Sequence, residues 1–237
     1  MIQLANYSDV GGRPDNEDSI QWTRAGEDAL CLVVADGLGG HGGGKIASAA
    51  AAETICAGWD GTTDREKLKA LALRAHEAVL ARQEPACAMK STVAALTLTR
   101  EEASWIHAGD TRLYHFIDGA LAFQTRDHSA SQIAVVLGEI TPDQIRFHED
   151  RSRVLKALGQ EGDLIVEPDG AAMTPGRHAF LLCTDGFWEY VLEKEMEEDL
   201  CAAKSPEDWI ARMRKRHRAR IPNDNDNNSA AAVWLEK

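Results

Sequence analysis

Four aspartates stand where strand-like runs of this sequence end: Asp18, Asp36, Asp185 and Asp226. Two of them precede glycine, in Val34-Ala35-Asp36-Gly37-Leu38 and Cys183-Thr184-Asp185-Gly186-Phe187. One Asp-Gly at a strand end reads as a turn. Four such carboxylates drawn from distant parts of the chain read differently, because folding them together sets like charges against one another unless hard divalent cations neutralise them. All-oxygen ligation suits Mg²⁺ or Mn²⁺, and no Cys/His cluster of zinc type is present. Mg²⁺ takes one or two carboxylates and keeps several waters, an economy that a shared aspartate permits. Two neighbouring ions would lower the pKa of a bridging water and clamp phosphoryl oxygens, which is the chemistry of phosphomonoester hydrolysis.

A second candidate is the loop Gly37-Leu38-Gly39-Gly40-His41-Gly42, which fits the dinucleotide fingerprint and lies between a strand and a helix. Gly39 to Lys45 also nearly spells a Walker A loop, but Ile46 occupies the magnesium-binding Ser/Thr position. Asp36, directly ahead, would repel the phosphates such loops hold unless a cation intervened. The downstream pattern is antiparallel, whereas a dinucleotide fold continues with parallel strands and crossover helices. Both nucleotide readings are set aside.

The elements that must position these groups are legible in outline. After a short first strand, Leu30 to Ala35 is continuously apolar, the mark of a strand buried on both faces. Lys45–Ala57 and Thr63–Gln83 repeat apolar residues at helical spacing. From Ser91 the period changes to two, predicting strands Thr92–Thr99, Ala103–Ala108, Arg112–Ile117 and Ala120–Gln124 as an antiparallel meander, with Asp118-Gly119 as a type I′ turn. Residues 129–158 read as small helices broken by Gly138 and Pro142. A strand Ala179–Cys183, a helix opened by Ser205-Pro206 and ending near Pro222, and a final strand Ser229–Leu235 complete the pass. The basic run Arg212 to Arg220 falls on that last helix and reads as its solvated face, with a docking patch as the alternative.

Composition narrows the setting. The formal net charge of -12 argues against a nucleic-acid backbone as partner. The apolar runs are too short to cross a bilayer, and the N-terminus lacks the basic start and long apolar stretch of a secretory signal, so a cytoplasmic protein is expected. Five scattered cysteines read as reduced thiols serving as small core residues.

The motifs in series carry a resemblance. Arg13-Pro14-Asp15-Asn16-Glu17-Asp18, Asp36-Gly37-Leu38-Gly39-Gly40-His41, Gly109-Asp110-Thr111-Arg112, Asp127-His128-Ser129, Thr184-Asp185-Gly186 and Asp226-Asn227-Asn228-Ser229 follow one another in the order found in type 2C, or PPM, metal-dependent serine/threonine protein phosphatases, and the chain resembles that family over essentially its whole length. The resemblance implies an α+β fold, a four-layer α-β-β-α sandwich of two antiparallel sheets flanked by helices, forming a single domain over residues 1–237 with metals in the channel between the sheets.

By the same resemblance Asp36 bridges two Mn²⁺ or Mg²⁺ ions, the Gly37 carbonyl and a water-linked Asp18 serve one, and Asp185 with Asp226 serves the other. Asp110 matches the aspartate of a weaker third ion shared with Asp185, or is a hairpin-turn aspartate. Arg13 matches the phosphate-binding arginine, whose planar fork can hold two phosphoryl oxygens, or is a surface arginine. Arg13 and Asp36 are thus the catalytic candidates. Glu17 stands behind the ligands or among them. The position directly after Asp-Gly, where some eukaryotic members carry histidine, is Leu38, so no general-acid role passes to His41.

Residues 138–159 correspond to the flap that shapes substrate access in bacterial-type members. His148-Glu149-Asp150-Arg151-Ser152 departs there from the common His-Pro-x-Arg-Asn pattern, which marks substrate choice as the point of difference. Asp185 to Tyr190 resembles the stand-alone phosphatases of bacterial type VI secretion. The expected partners are phosphorylated proteins, targets of a bacterial Ser/Thr kinase, met by a monomer with no nucleic acid and no membrane. The competing readings are a catalytically weak phosphoprotein-binding module and a small-molecule phosphomonoesterase.

Overall fold

The apolar run at Leu30 lies in strand β3 (Ala29–Leu38), and its alternation builds two cores at once. Leu30, Leu32 and Val34 point into a core between two sheets, while Cys31 and Val33 point the other way, under helices α1 (Gly43–Gly58) and α2 (Arg65–Leu80). A strand with both faces covered has no position for a polar side chain along its length, which is why the run reads as unbroken hydrophobicity. The computed structural model describes residues 1–39, 43–84 and 88–237; Gly40, His41 and Gly42 of the glycine-rich loop, and Cys87, lie outside the described residues.

The remaining elements are β1 (Gln3–Asp9), β2 (Asp18–Arg24), β4 (Lys90–Ser91), β5 (Val93–Thr99), β6 (Glu102–Ala108), β7 (Arg112–Ile117), β8 (Ala120–Gln124), α3 (Ala130–Val136), β9 (Asp169–Ala172), β10 (Arg177–Cys183), α4 (Asp185–Trp188), α5 (Glu193–Ala202), α6 (Pro206–Arg218) and β11 (Asn228–Glu236). One antiparallel sheet runs β2-β3-β5-β6-β9, with the short β4 on β3, and the other runs β1-β11-β10-β7-β8. Helices α1 and α2 cover the first sheet. Trp209, Ile210 and Met213 of α6, with Met196 and Leu200 of α5, cover the second, packing on Phe116, Leu181 and Ala232. The result is the expected four-layer sandwich, and each large apolar side chain buried in it contributes about 1.5–3 kcal/mol.

Two expectations are corrected. The strands after Ser91 do not form one meander: β5 and β6 pair in the first sheet, β7 and β8 in the second, and Gly109-Asp110-Thr111 carries the chain between sheets. Asp110 therefore does not sit in a hairpin turn. Pro142 does not break a helix but opens a 3-10 turn, Pro142–Phe147, where its missing N–H costs nothing. Asp118 (φ 50°) and Gly119 (φ 90°) both lie at positive φ, as a type I′ turn requires. The basic run of α6 keeps the expected solvated face at Lys215 and Arg218, while other arginines of the run are engaged. Arg212 pairs with Asp208, Arg214 lies over the Tyr7 ring, and Arg216 joins Glu195, Glu198 and Asp199 of α5.

Candidate metal centre

The sandwich interior turns polar at one end, and strand parity decides which residues appear there. On β3 the inward positions are Leu30, Leu32, Val34 and then Asp36. On β2, Ile20 faces the same core and Asp18 is two residues before it, paired across the strands with Asp36. In the opposite sheet Phe180 and Leu182 lead to Thr184, and Val233 and Ala231 lead back to Ser229. Strands β2, β3, β10 and β11 thus meet in a polar layer.

The layer is tied across the sheets. Thr184 donates its hydroxyl to Asp18 Oδ2 at 3.0 Å and accepts the Ser229 N–H at 3.0 Å. The Asp36 N–H is bonded to the Thr92 hydroxyl at 3.1 Å, the Asp36 carbonyl accepts the Thr92 N–H at 2.8 Å, and the Thr92 and Thr111 hydroxyls meet at 2.5 Å beside Asp110. The Trp188 indole donates to the Asp110 carbonyl at 2.9 Å, so the crossing segment is pinned from α4.

Both Asp-Gly pairs are used for close approach rather than for turning. A Cβ on Gly37 would overlap the Gly44 carbonyl, and one on Gly186 would overlap the carbonyl of Asn227. Those glycines let the start of α1 and the start of β11 close onto the aspartates.

Arg13, Asp36, Gly37, Asp110, Asp185 and Asp226 line one cleft of about 810 Å³, together with Glu17 and Asn227. Arg13 and Asp226 form an ion pair at 2.9 Å. Asn227 latches the segment that carries Arg13: its side chain donates to the Val10 and Asp15 carbonyls at 2.8 and 2.9 Å and accepts the Glu17 N–H at 2.8 Å. Asp18 lies just behind the cleft, almost fully buried. The Glu17 carboxylate accepts the N–H groups of Gly44 and Lys45 at the start of α1, a helix N-terminus, so it holds the loop rather than facing the cleft freely.

Electrostatically the cluster is under strain. Burial pushes the Asp36 carboxyl well above its usual range, and Asp18, Asp185, Asp110 and Asp226 push it further. Burial likewise raises Asp185, with Asp110 the next contributor. Burial lifts Asp18 to about 7 against the opposing hydrogen bonds of Ser229 and Thr184, and lifts Asp110 to about 7 with Asp127 adding. Among the described residues Asp18 Oδ1 and Asp185 Oδ1 are buried without a hydrogen-bond partner.

A cluster of buried, mutually repelling carboxylates with orphaned oxygens fits hard divalent cations, which supply both missing charge and missing partners. Among the described residues no three carboxylate, imidazole or thiol side chains converge as a ready-made cage. That agrees with sites of Mg²⁺ type, completed by a backbone carbonyl and waters.

The structure brings together all seven sequence candidates and Glu17, with Asp18 just behind the cleft. Sequence reasoning missed Thr184, Asn227 and the support under Asp110. Thr184 and Asn227 stood inside quoted motifs, so their side-chain chemistry was available as a signal. Arg112, Asp127 and Trp188 also stood in quoted stretches, but nothing in the sequence signalled their arrangement: Arg112 makes a two-point contact with Asp127 at 2.8 and 2.7 Å and lies 3.4 Å over the Trp188 ring.

Residues 12–225 match the family described as Protein phosphatase 2C. The chain is 34% identical over 210 residues to the serine/threonine protein phosphatase PstP of Mycobacterium tuberculosis, covering 84% of this chain and 39% of the length of PstP. It is 30% identical over 207 residues to the serine/threonine phosphatase stp of Listeria monocytogenes, covering 79% of this chain and 78% of that protein. Its fold superposes on the catalytic domain of PstP in complex with two manganese ions with a TM-score of 0.82 at 27% identity, over 100% of this chain and 99% of that one. It also superposes on PppA, described as a key regulatory component of T6SS in Pseudomonas aeruginosa, with a TM-score of 0.79 at 27% identity, over 98% and 96% of the two chains.

Proposed function

Since the chain belongs to the protein phosphatase 2C family, we propose that it is a metal-dependent enzyme that hydrolyses phosphoserine and phosphothreonine on proteins. The observation that carries this reading is the set of carboxylates around Asp36 at the polar end of the sandwich, with orphaned oxygens on Asp18 and Asp185 and Arg13 on the rim of the same cleft. The two manganese ions of PstP support the same pair of sites here. Asp36 would be held in common by the two, the Gly37 carbonyl and, through water, Asp18 would hold one, Asp185 and Asp226 would hold the other, and Asp110 with Asp185 would hold a weaker third. When bound, such ions lower the pKa of a bridging water and polarise the phosphoryl oxygens.

The chain's own residues do the rest. Among the described residues Arg13 bonds only through Nη2, to Asp226, which leaves its other guanidinium donors for phosphoryl oxygens and places them beside the carboxylates. Thr184 holds the Asp18 carboxylate and Thr92 holds the Asp36 backbone amide, which fixes where the two aspartates stand. No charged or hydroxyl side chain follows Gly37, since Leu38 stands there, so proton delivery to the leaving serine or threonine falls to solvent in the cleft.

A single catalytic domain over residues 1–237 fits the core shared by the two sheets. The likeness to PppA supports a T6SS setting, and an opposing Ser/Thr kinase and a cytoplasmic location belong to the same proposal. No helix among the described residues is long and apolar enough to cross a membrane. The test is phosphate release from a phosphothreonine peptide by Mn²⁺-loaded protein: EDTA should abolish it and added Mn²⁺ restore it. Full activity in a chelated sample overturns the reading.

A further inference from the structure

The cleft does not end at the carboxylates. Arg13, Asp185 and Asp226 also line a side pocket of about 220 Å³ that reaches Arg151 and Tyr190. Arg151 and Tyr190 in turn line a groove of about 650 Å³ between the 3-10 turn Pro142–Phe147 and the α4–α5 junction. An extended chain leaving the carboxylates in this direction passes directly into that groove.

The chemistry of the groove is opposite to that of the cleft. Its apolar surface is Phe147 and Leu192, which are 81% and 41% exposed although both are large hydrophobic residues. Its charged lining is Arg146, Arg151 and Arg220 against one carboxylate, Glu189, on a chain whose net charge is -12. Arg220 is committed to the wall, bonded to Glu195 and to the Tyr190 carbonyl. The other two are not fully used. Arg151 donates through Nε to Glu189 at 2.9 Å, and among the described residues its two terminal amino groups have no hydrogen-bond partner. Arg146 is 6% exposed, bonds Glu193 through Nη2 and lies 5.5 Å from the Trp188 ring, while among the described residues its buried Nη1 has no hydrogen-bond partner. A buried guanidinium donor left open beside exposed aromatic and aliphatic surface is the complement of an acidic side chain next to an apolar one.

Resting on the phosphatase reading above, we propose that this groove receives the polypeptide flanking the phosphoresidue and selects substrates that carry an acidic residue beside an apolar one. Arg151 takes the acidic side chain, with Arg146 behind it, and Phe147 and Leu192 take the apolar neighbour. The sequence His148 to Ser152, which departs from the common family pattern, then writes a substrate preference particular to this chain.

The experiment compares two phosphothreonine peptides, identical except for glutamate or lysine at the flanking positions and each with a leucine next to that position, using Mn²⁺-loaded protein. Wild type should show kcat/KM at least about tenfold higher on the glutamate peptide, the effect of one charge-assisted contact. Arg151→Gln should bring the ratio towards one, Arg151→Glu should invert it, and Phe147→Ser should raise KM on the glutamate peptide, with retained thermal unfolding showing that each variant is folded. Equal kcat/KM on the two peptides in wild type, or a ratio untouched by both Arg151 variants, overturns the groove assignment and leaves the phosphatase reading standing. Hydrolysis of neither peptide overturns the phosphatase reading itself.

Discussion

Asp18 on one sheet accepts a hydrogen bond from Thr184 on the other at 3.0 Å, so the carboxylate cluster is also a clasp between the two halves of the sandwich. The same Thr184 oxygen accepts the Ser229 N–H, and removing it strands two buried groups at once. Thr184→Val, which keeps the shape, should lower the stability of the chelated protein by about 1–3 kcal/mol in urea unfolding. It should also weaken Mn²⁺ binding in calorimetry. Wild-type values for both would show that the clasp has no role.

Asp36 and Asp110 should fail differently. Asp36→Asn removes the charge at the centre of the cluster, so tight Mn²⁺ binding should disappear and turnover should fall by several orders of magnitude. Because Asp18, Asp185, Asp110 and Asp226 all repel Asp36, the chelated variant should be at least as stable as chelated wild type. Asp110→Ala should keep the tight sites and lose turnover. An Asp36→Asn protein that binds two ions and hydrolyses substrate normally would remove the central assignment.

The pH dependence of stability should depend on whether metal is present. Asp18 and Asp110 have folded-state values raised to about 7, above their ordinary carboxylate range. Their contribution is therefore fully present below about pH 4 and is lost as pH rises through about 7. His115 and His128, lowered by burial to about 4 and about 3, act in the opposite sense: their contribution is present above about 6.5 and is lost as pH falls towards those values. Bulk pH curves mix the two. The difference in melting temperature between Mn²⁺-loaded and chelated protein isolates the carboxylates, and it should grow from pH 5 to pH 8. A constant difference would contradict the assignment.

Arg112 is 3% exposed, grips Asp127 at two points and lies over Trp188. Arg112→Met leaves the buried Asp127 carboxylate uncompensated and should cost about 3–5 kcal/mol, as breaking a buried pair does. Trp188→Phe removes the donor to the Asp110 carbonyl and shrinks the ring under Arg112, and should cost about 1–3 kcal/mol while lowering turnover. Equal losses of stability in the two variants would mean that the stack, not the ion pair, holds the crossing segment.

How much of this was legible in the chain follows from which forces are local. Strand β3, helices α1 and α2, the Asp118-Gly119 turn and the final strand were all readable, because period and turn chemistry are written within a few residues. The face on which Asp36 lies was not, because a strand apolar on both sides does not show which side meets the other sheet. Strands β2 and β9 and helix α5 were not called as elements: β9 reads Asp169-Gly170-Ala171-Ala172, and α5 buries only Met196, Asp199 and Leu200 among acidic residues.

What the sequence determined by itself was the set of groups and the strand edges at which they stand. The resemblance of its motifs added their roles. Tertiary structure alone decided that β5–β6 and β7–β8 belong to different sheets, and so that Asp110 lies on a crossing between them rather than in a hairpin. It alone set Arg112 over Trp188 and left Arg146 with an open donor beside Phe147. Alternation fixes which way a side chain points from its strand, but which strands become neighbours depends on contacts between residues far apart in the chain, and those are selected only when the whole core closes.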